Sequence, residues 1–325
     1  MSDAKHLDTN TYPRHIPVLL QETYEYLVQE NSLIQDSASG THLDCNFGDA
    51  GHVEYFAEQA HTHAIALTIH AVDADQYAID RGTSFLKTNK AIADVPVIIH
   101  KGNFKDIDAL IPKNVHFTSV LFDLGLSTYQ LGPSHRGFSF KYDESLDMRF
   151  DSDEIDSQSE DQFTAYDIVN FWSPDTISLI LKNYADESRA WKIATAIEQA
   201  RTKAPIASSK QLADLLIAVL GENKKTGIHP ATKTFQALRI AVNNEIQILT
   251  EVFTKVLRLV ASGGRIGVIS YHSLEDSVTK RQFKEWEEGD MGKRVNKKII
   301  IPTEVERKQN PRSRSAKFRV FQKNN

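Results

Sequence analysis

Asp44-Cys45-Asn46-Phe47-Gly48-Asp49-Ala50-Gly51-His52 is the stretch on which the fold turns. It continues a short apolar run, His42–Asn46, and leads into an amphipathic segment, Val53–Gln59, so it reads as a strand-to-helix turn. Glycines in such a turn let the backbone approach a ligand closely, and the helix that follows presents N–H groups without intrahelical partners. Twenty-two residues after Gly51 stands Asp73, at the end of a second apolar run, His70–Asp73. An acid at that place can accept both hydroxyls of a ribose. Loop and acid together point to an adenosine-containing cofactor.

Outward from this pair the chain keeps the same rhythm. Further strands are expected at Pro96–His100, Ser119–Asp123 and Arg265–Ser270, with a crossover helix at Tyr77–Lys87. Four of the five strands end in Asp, Asn or Ser, and in open α/β sheets ligands bind at those tips. The fold class is therefore α/β, with a mostly parallel sheet. A long amphipathic pattern over Phe235–Val260 reads as one helix, ended by Gly263-Gly264. Between about Arg136 and Thr234 the alternation stops, and helical segments follow one another: Tyr166–Trp172, Asp175–Tyr184, Ser188–Lys203 and Ser209–Leu220. The expected organisation is one discontinuous α/β domain, 1–135 with 235–325, interrupted by an all-α insertion, 136–234.

The loop also discriminates between cofactors. A dinucleotide fold wants G-x-G-x-x-G to seat a pyrophosphate, and this loop does not match. Asp44, which opens it, repels a pyrophosphate but suits a ligand with an amino group and a positive charge, as S-adenosylmethionine has. A nicotinamide-dependent oxidoreductase is the alternative that the pattern disfavours. Gly102-Asn103-Phe104 follows the third strand, where an aromatic can pack on an adenine, although Phe104 also reads as a core residue. Asp123-Leu124-Gly125-Leu126-Ser127 follows the fourth, where Asp123 is either a site acid or a turn former.

Composition narrows the field. Of 325 residues 41% are hydrophobic and 25% charged, enough to bury a core without staples. The single cysteine, Cys45, excludes an internal disulfide framework and a cysteine zinc cluster, and no metal is expected. No apolar run approaches the roughly 18 residues of a membrane span, and Met1–His15 lacks a signal-peptide core. A cytoplasmic protein without a membrane partner is expected. The net charge of −5 speaks against indiscriminate binding of polyanions, DNA included. That sum conceals two opposite blocks. Asp143–Asp161 holds nine acids and one base, whereas Lys293–Asn325 holds eleven bases and two acids. Within the second block, Asn310-Pro311-Arg312-Ser313-Arg314 sets two guanidiniums beside short polar residues, a pattern suited to phosphate. Solvated or core-anchoring arginines are the plainer reading.

Together these stretches resemble one family closely, the bacterial 16S ribosomal RNA cytosine-N(4) methyltransferases (RsmH, formerly MraW). The resemblance is carried by His15-Ile16-Pro17-Val18-Leu19-Leu20, the Gly48–His52 loop, Asp73-Ala74-Asp75, Gly102–Phe104 and Asp123–Ser127. It continues through Gln130-Leu131, Arg136–Phe140, Leu146–Arg149, His229–Arg239, Asn243, Glu245 and Gly263–Arg265, and ends with His272–Asp276 and Asn310–Arg314. It spans residues 15 to about 321.

The resemblance implies a class I (Rossmann-like) methyltransferase fold with an inserted helical domain. S-adenosylmethionine would be the methyl donor, and a decoding-centre cytidine of 16S rRNA in the small ribosomal subunit the acceptor, a step of ribosome biogenesis. Carried over by motif, cofactor contacts fall on Gly48, Ala50, Gly51, His52, Asp73, Phe104, Asp123 and Gln130. The strand-four tip is the natural place for the base, where Asp123 itself (the candidate catalytic residue) or nearby backbone carbonyls would accept from the amino group. RNA contacts fall on Arg312 and Arg314. Tyr129, Phe138 and Phe140 are candidates for base stacking, and His272 and Glu275 for the far side of the site. The family usually has Gly where Ala50 stands, Thr at Asn46, Ser-Pro at Thr128-Tyr129, Asp at Gly132 and Gly-Pro at Glu144-Ser145. A protein that kept the fold as a non-catalytic assembly factor is the alternative function that such departures leave open.

Overall fold

The computed structural model describes residues 14, 16–126, 131–132, 135–150, 162–221 and 229–325. After short helical segments at Leu20–Tyr24, Glu25–Gln29 and Ser32–Ser37, the main elements begin with β1 (Ser39–Asp44), α1 (Gly51–Thr62), β2 (Ala66–Asp73), α2 (Gln76–Thr88), β3 (Val97–Lys101) and β4 (Phe117–Leu124). Helices α3 (Ala165–Phe171), α4 (Pro174–Ala185), α5 (Ala190–Arg201), α6 (Ser209–Leu220) and α7 (Thr232–Val242) follow. Then come α8 (Glu245–Leu259), β5 (Val260–Ser270), α9 (Ser273–Glu288), β6 (Gly292–Arg294) and β7 (Lys317–Lys323). The chain divides into two compact units, Met1–Ser127 with Ile246–Asn325, and Thr128–Glu245.

In the first unit the seven strands lie in the order β3-β2-β1-β4-β5-β7-β6. β1 pairs parallel with β2 and β4, β2 with β3, and β4 with β5; β7 runs antiparallel to β5 and β6. This is an α/β arrangement with a mostly parallel sheet, as the strand and helix pattern implies. Parallel strands are stable when both faces are covered, which is why the runs are short and apolar throughout. On one face Val53, Phe56, Ala57 and Ala60 of α1 pack with Leu67, Ile69 and Ala71 of β2. On the other, Val252, Phe253 and Val256 of α8 and Phe283 and Trp286 of α9 pack with Val120, Phe122, Ile266 and Val268.

The second unit is helical, as its periodicity implies, and its helix starts are written in the sequence. Thr164 with Asp167 and Ser208 with Gln211 form capping boxes, and Ser173 caps α4 with Pro174 in its first turn. Part of the acidic block is spent on structure. Glu144, only 5% exposed, accepts the backbone N–H groups of His135 (3.1 Å) and Gly137 (3.0 Å), and Asp147 holds Arg149 at 2.8 and 2.7 Å. Residues 151–161 of the block lie outside the described residues.

Three expectations change. The pattern over Phe235–Val260 is two helices: α7 stops at Asn243, and Asn244 takes a left-handed φ of 48°. The Asn243 amide donates to Met148 O (2.7 Å) and accepts the Phe150 N–H (2.9 Å), so tying down that loop competes with continuing the helix. α7 therefore belongs to the second unit, and the boundaries move from 135/136 and 234/235 to 127/128 and 245/246. Gly263-Gly264 does not end a helix; it lies inside β5, where the pairing with β4 shifts register between Phe117 and Ser119. Finally, the basic block is not a solvated tail. Its end is β7, whose Phe318, Val320 and Phe321 are buried while Lys317 and Arg319 share Asp276 at 3.2 and 2.7 Å.

Candidate active site

The site of the first unit is assembled where β1, β2, β3, β4 and β5 end. At the tip of β1, Asp44 is 1% exposed, and its Oδ1 accepts the Asn46 N–H at 2.9 Å. Burial pushes its carboxyl up to about 6, against the opposing pull of His52 and the Asn46 N–H, with Asp123 adding to the rise. The loop then turns through Gly48 (φ 52°) and Ala50 (φ 61°, ψ 21°). Gly51 opens α1 against Pro17, whose ring a Cβ at this position would strike. Ala50, the N-cap, has no side-chain oxygen to offer, so it leaves the first-turn N–H groups of α1 uncapped.

Ala50 is fully buried in the left-handed region, where an L side chain costs about 1–2 kcal/mol. Glycine would remove that cost but forfeit a buried methyl and add roughly 0.5–1 kcal/mol of chain entropy. Ala50→Gly should therefore change stability by less than about 1 kcal/mol. Ala50→Val, a β-branched residue at positive φ in a closed site, should lose about 3 kcal/mol. Urea unfolding of the two variants measures the difference, and equal midpoints would contradict the strained turn.

At the tip of β2, Asp73 is partly exposed, and its carboxylate is oriented from both sides. Oδ2 accepts the Gly48 N–H at 2.8 Å and Oδ1 the Asp75 N–H at 2.9 Å. Burial pushes this carboxyl up to about 6 as well, opposed by those two N–H groups, while Asp75 and Asp44 add to the rise. The loop after β1 and the acid after β2 are thus one hydrogen-bonded unit.

At the tip of β4, Asp123 has a side chain 12% exposed. The Tyr271 hydroxyl donates to Oδ1 at 2.6 Å, across 148 residues of sequence. Burial, with Asp123 beside it, pushes the Tyr271 phenol well above its ordinary value, so it remains a donor at physiological pH. His52 Nδ1 stands 3.6 Å from Oδ2. The other nitrogen, Nε2, is 3.0 Å from the Val18 carbonyl, which can only accept, so Nε2 carries a proton. Sequence reasoning missed Tyr271. It is the first residue beyond β5, whereas the site acids are the last residues of β1 and β2 and the next-to-last of β4, so no shared strand-end position marks it.

The other expected residues divide. Phe104 is half-buried and meets Phe122 edge-on at 5.8 Å, leaving part of its ring open beside the tip of β3. Gln130 and Tyr129 lie outside the described residues. Phe138 is buried and stacks on Phe150 (5.6 Å), and Phe140 stacks on His229 (4.2 Å); both are engaged in packing within the second unit. His272 and Glu275 are engaged with each other: His272 is the N-cap of α9 in a reciprocal capping box, and Glu275 Oε2 accepts the Tyr271 N–H at 2.7 Å. Their part is to fix the start of α9 and hence Tyr271. Arg312 and Arg314 are exposed on the short turn Pro311–Ser315. Asn310 of the same motif is structural, donating to Ile16 O at 2.9 Å. No helix among the described residues is long and apolar enough to cross a membrane.

A family model described as the MraW methylase family matches residues 13–324. A curated protein of Coprothermobacter proteolyticus, named ribosomal RNA small subunit methyltransferase H, is 38% identical over 314 residues, covering 96% of this chain and 97% of that protein. A protein of the same name from a Sulfurihydrogenibium species is 37% identical over 309 residues, covering 94% and 98%. Among solved structures, an rRNA methylase from Streptococcus thermophilus matches at 9% identity with a TM-score of 0.39, over 94% of this chain and 93% of that one.

Proposed function

Because this chain belongs to the MraW methylase family, we propose that it transfers the methyl group of S-adenosylmethionine to the N(4) amino nitrogen of one cytidine in the decoding centre of 16S rRNA. The observation that carries the reading is the Asp123 carboxylate. It is fixed by Tyr271 on one oxygen and faced by His52 near the other, at the central strand tip of a site whose other acids suit the donor.

The residues present fit the cofactor. Asp73, partly exposed and pre-oriented, would accept the ribose hydroxyls. Asp44 would face the amino group, and the uncapped start of α1 the carboxylate of the methionine moiety. The open side of Phe104 would pack on the adenine. The loop Gly48, Ala50, Gly51 and His52 supplies the close backbone approach. When bound, the cofactor supplies an electrophilic methyl group on a sulfonium, which is an excellent leaving group.

The cytosine amino nitrogen is conjugated with its ring and is a poor nucleophile. The work left to the protein is alignment, which can supply roughly 7–11 kcal/mol. Asp123 would accept hydrogen bonds from the amino protons, aiming the nitrogen lone pair, and take one proton as the N–C bond forms. Each carboxylate oxygen has two lone pairs, so the bond from Tyr271 leaves this capacity in place. The base must also leave its stack to reach a strand tip. The exposed Arg312 and Arg314 would meet RNA phosphates, and the substrate would be the assembled or nearly assembled small subunit, in the cytoplasm.

The test is chemical. Small-subunit RNA from cells lacking the protein is digested and its nucleosides are weighed. N(4)-methylcytidine should disappear and return on complementation; persistence at the wild-type level refutes the enzyme and favours an assembly factor that kept the fold.

A further inference from the structure

A cavity of about 390 Å³ lies beside the tip of β5, within the size range of ligand pockets. Its wall includes Tyr271, Ser273, Ile301, Arg307, Arg314 and Lys317. Of the nine residues that line it, three are Lys or Arg and none is an acid, in a protein whose net charge is −5. Their charges are not equally spent. Lys317 shares Asp276 with Arg319, so one carboxylate answers two cations. Arg307 uses Nε on the Pro302 carbonyl at 3.0 Å, which orients its guanidinium. Among the described residues no carboxylate pairs with Arg307 or Arg314.

The frame that holds these arginines is rigid. Thr303 caps the short helix Glu304–Gln309, Glu306 Oε1 accepts the Leu19 N–H at 2.8 Å, and Asn310 ties the following turn to Ile16. A guanidinium held in one orientation, beside a second and an ammonium, matches the oxygens of a phosphate. One further feature fixes which phosphate. Tyr271 belongs to the cavity wall, and its hydroxyl is bonded to Asp123. An occupant of the cavity and a base at Asp123 are therefore separated by a single side chain.

We propose that this cavity seats a backbone phosphate of the RNA strand next to the methylated cytidine, with Arg307 and Arg314 as its clamp and Ile301 and Tyr271 against the adjoining sugar. The proposal rests on the rRNA methylation reading above and adds where the strand is gripped. Arg312 is exposed but is not part of this wall, so the two arginines of the motif are separated in role.

Methylation kinetics on small subunits purified from cells lacking the protein test it. Arg314→Gln changes an exposed side chain and should raise KM for subunits about tenfold, as expected for one lost charge-assisted contact. The slope of log affinity against log salt should fall by about one, and Arg314→Lys should restore the slope. Calorimetric affinity for S-adenosylmethionine should stay within twofold. The double variant Arg307→Gln/Arg314→Gln, checked for its urea midpoint, should be weaker still. KM and salt slope within twofold of wild type in the folded double variant would overturn the proposal. So would tight binding of inorganic phosphate that the double variant loses while KM for subunits is unchanged, since the cavity would then serve a free anion. Wild-type protein that binds the cofactor yet leaves the subunits unmethylated refutes the methylation reading itself, and the phosphate seat with it.

Discussion

Asp73→Ala is expected to weaken S-adenosylmethionine binding by at least two orders of magnitude. The carboxylate would supply acceptors to two ribose hydroxyls, and a hydrogen bond to a charged group is worth about 1.5–3 kcal/mol. The substitution also removes the partner of the Gly48 and Asp75 N–H groups, so the loop after β1 loses its register with β2. Calorimetry at pH 7.5 reads the effect, and an unchanged affinity would disprove the ribose assignment. The same group gives the binding its pH dependence. Burial holds Asp73 and Asp44 at about 6, against an ordinary 3.8. Wild-type affinity should accordingly fall about tenfold between pH 7 and 5 for each carboxylate that must be ionised. Stability moves in the opposite sense. A carboxyl whose folded value is raised contributes stability that is complete below 3.8 and lost as pH climbs through about 6. Asp73→Asn should therefore gain stability relative to wild type across that window while it loses cofactor affinity.

Asp123→Asn is expected to lower kcat by about 10² to 10³, the range for loss of a positioned proton acceptor. Shape and volume are kept. The amide oxygen can still accept from Tyr271, so the fold should survive and the thermal midpoint should stay near that of wild type. What is lost is the second acceptor and the negative charge that would receive the amino proton. Saturating both substrates isolates this effect on kcat from changes in KM. A kcat within threefold of wild type would remove Asp123 from the chemistry and leave it a scaffold for Tyr271.

Much of the loop proposed to hold the cofactor is legible in the residues because it is built locally. Gly48, Gly51 and Asp73 stand one turn or one crossover apart, and the demands on them are demands on φ, on close backbone approach and on the end of a strand. The period of the apolar residues locates β1–β5 for the same reason, since it reports which face of each segment is buried. β7 was legible too: Lys317-Phe318-Arg319-Val320 alternates with period two. Counting its charges as one basic block hides that alternation.

Other features are properties of the assembled sheet. Tyr271 reaches Asp123 because β5 lies beside β4 in register, with Ile269 opposite Asp123, and no local pattern announces a pairing across that length of chain. The capping roles of His272 and Glu275, and of Asn243 at the break before α8, follow from which backbone groups come to need a partner. Charge shows the difference most clearly. The sequence by itself determined an α/β chain, a glycine-containing turn after β1 with an acid at the end of β2, and two blocks of opposite sign. Only the tertiary structure decided which charges remain available, because a charge in a sequence is a sum whereas a charge in a fold has a partner. Lys317 and Arg319 are answered by Asp276, Glu144 by backbone N–H groups, and Arg307 and Arg314 stand at a cavity that has no carboxylate among the described residues of its wall.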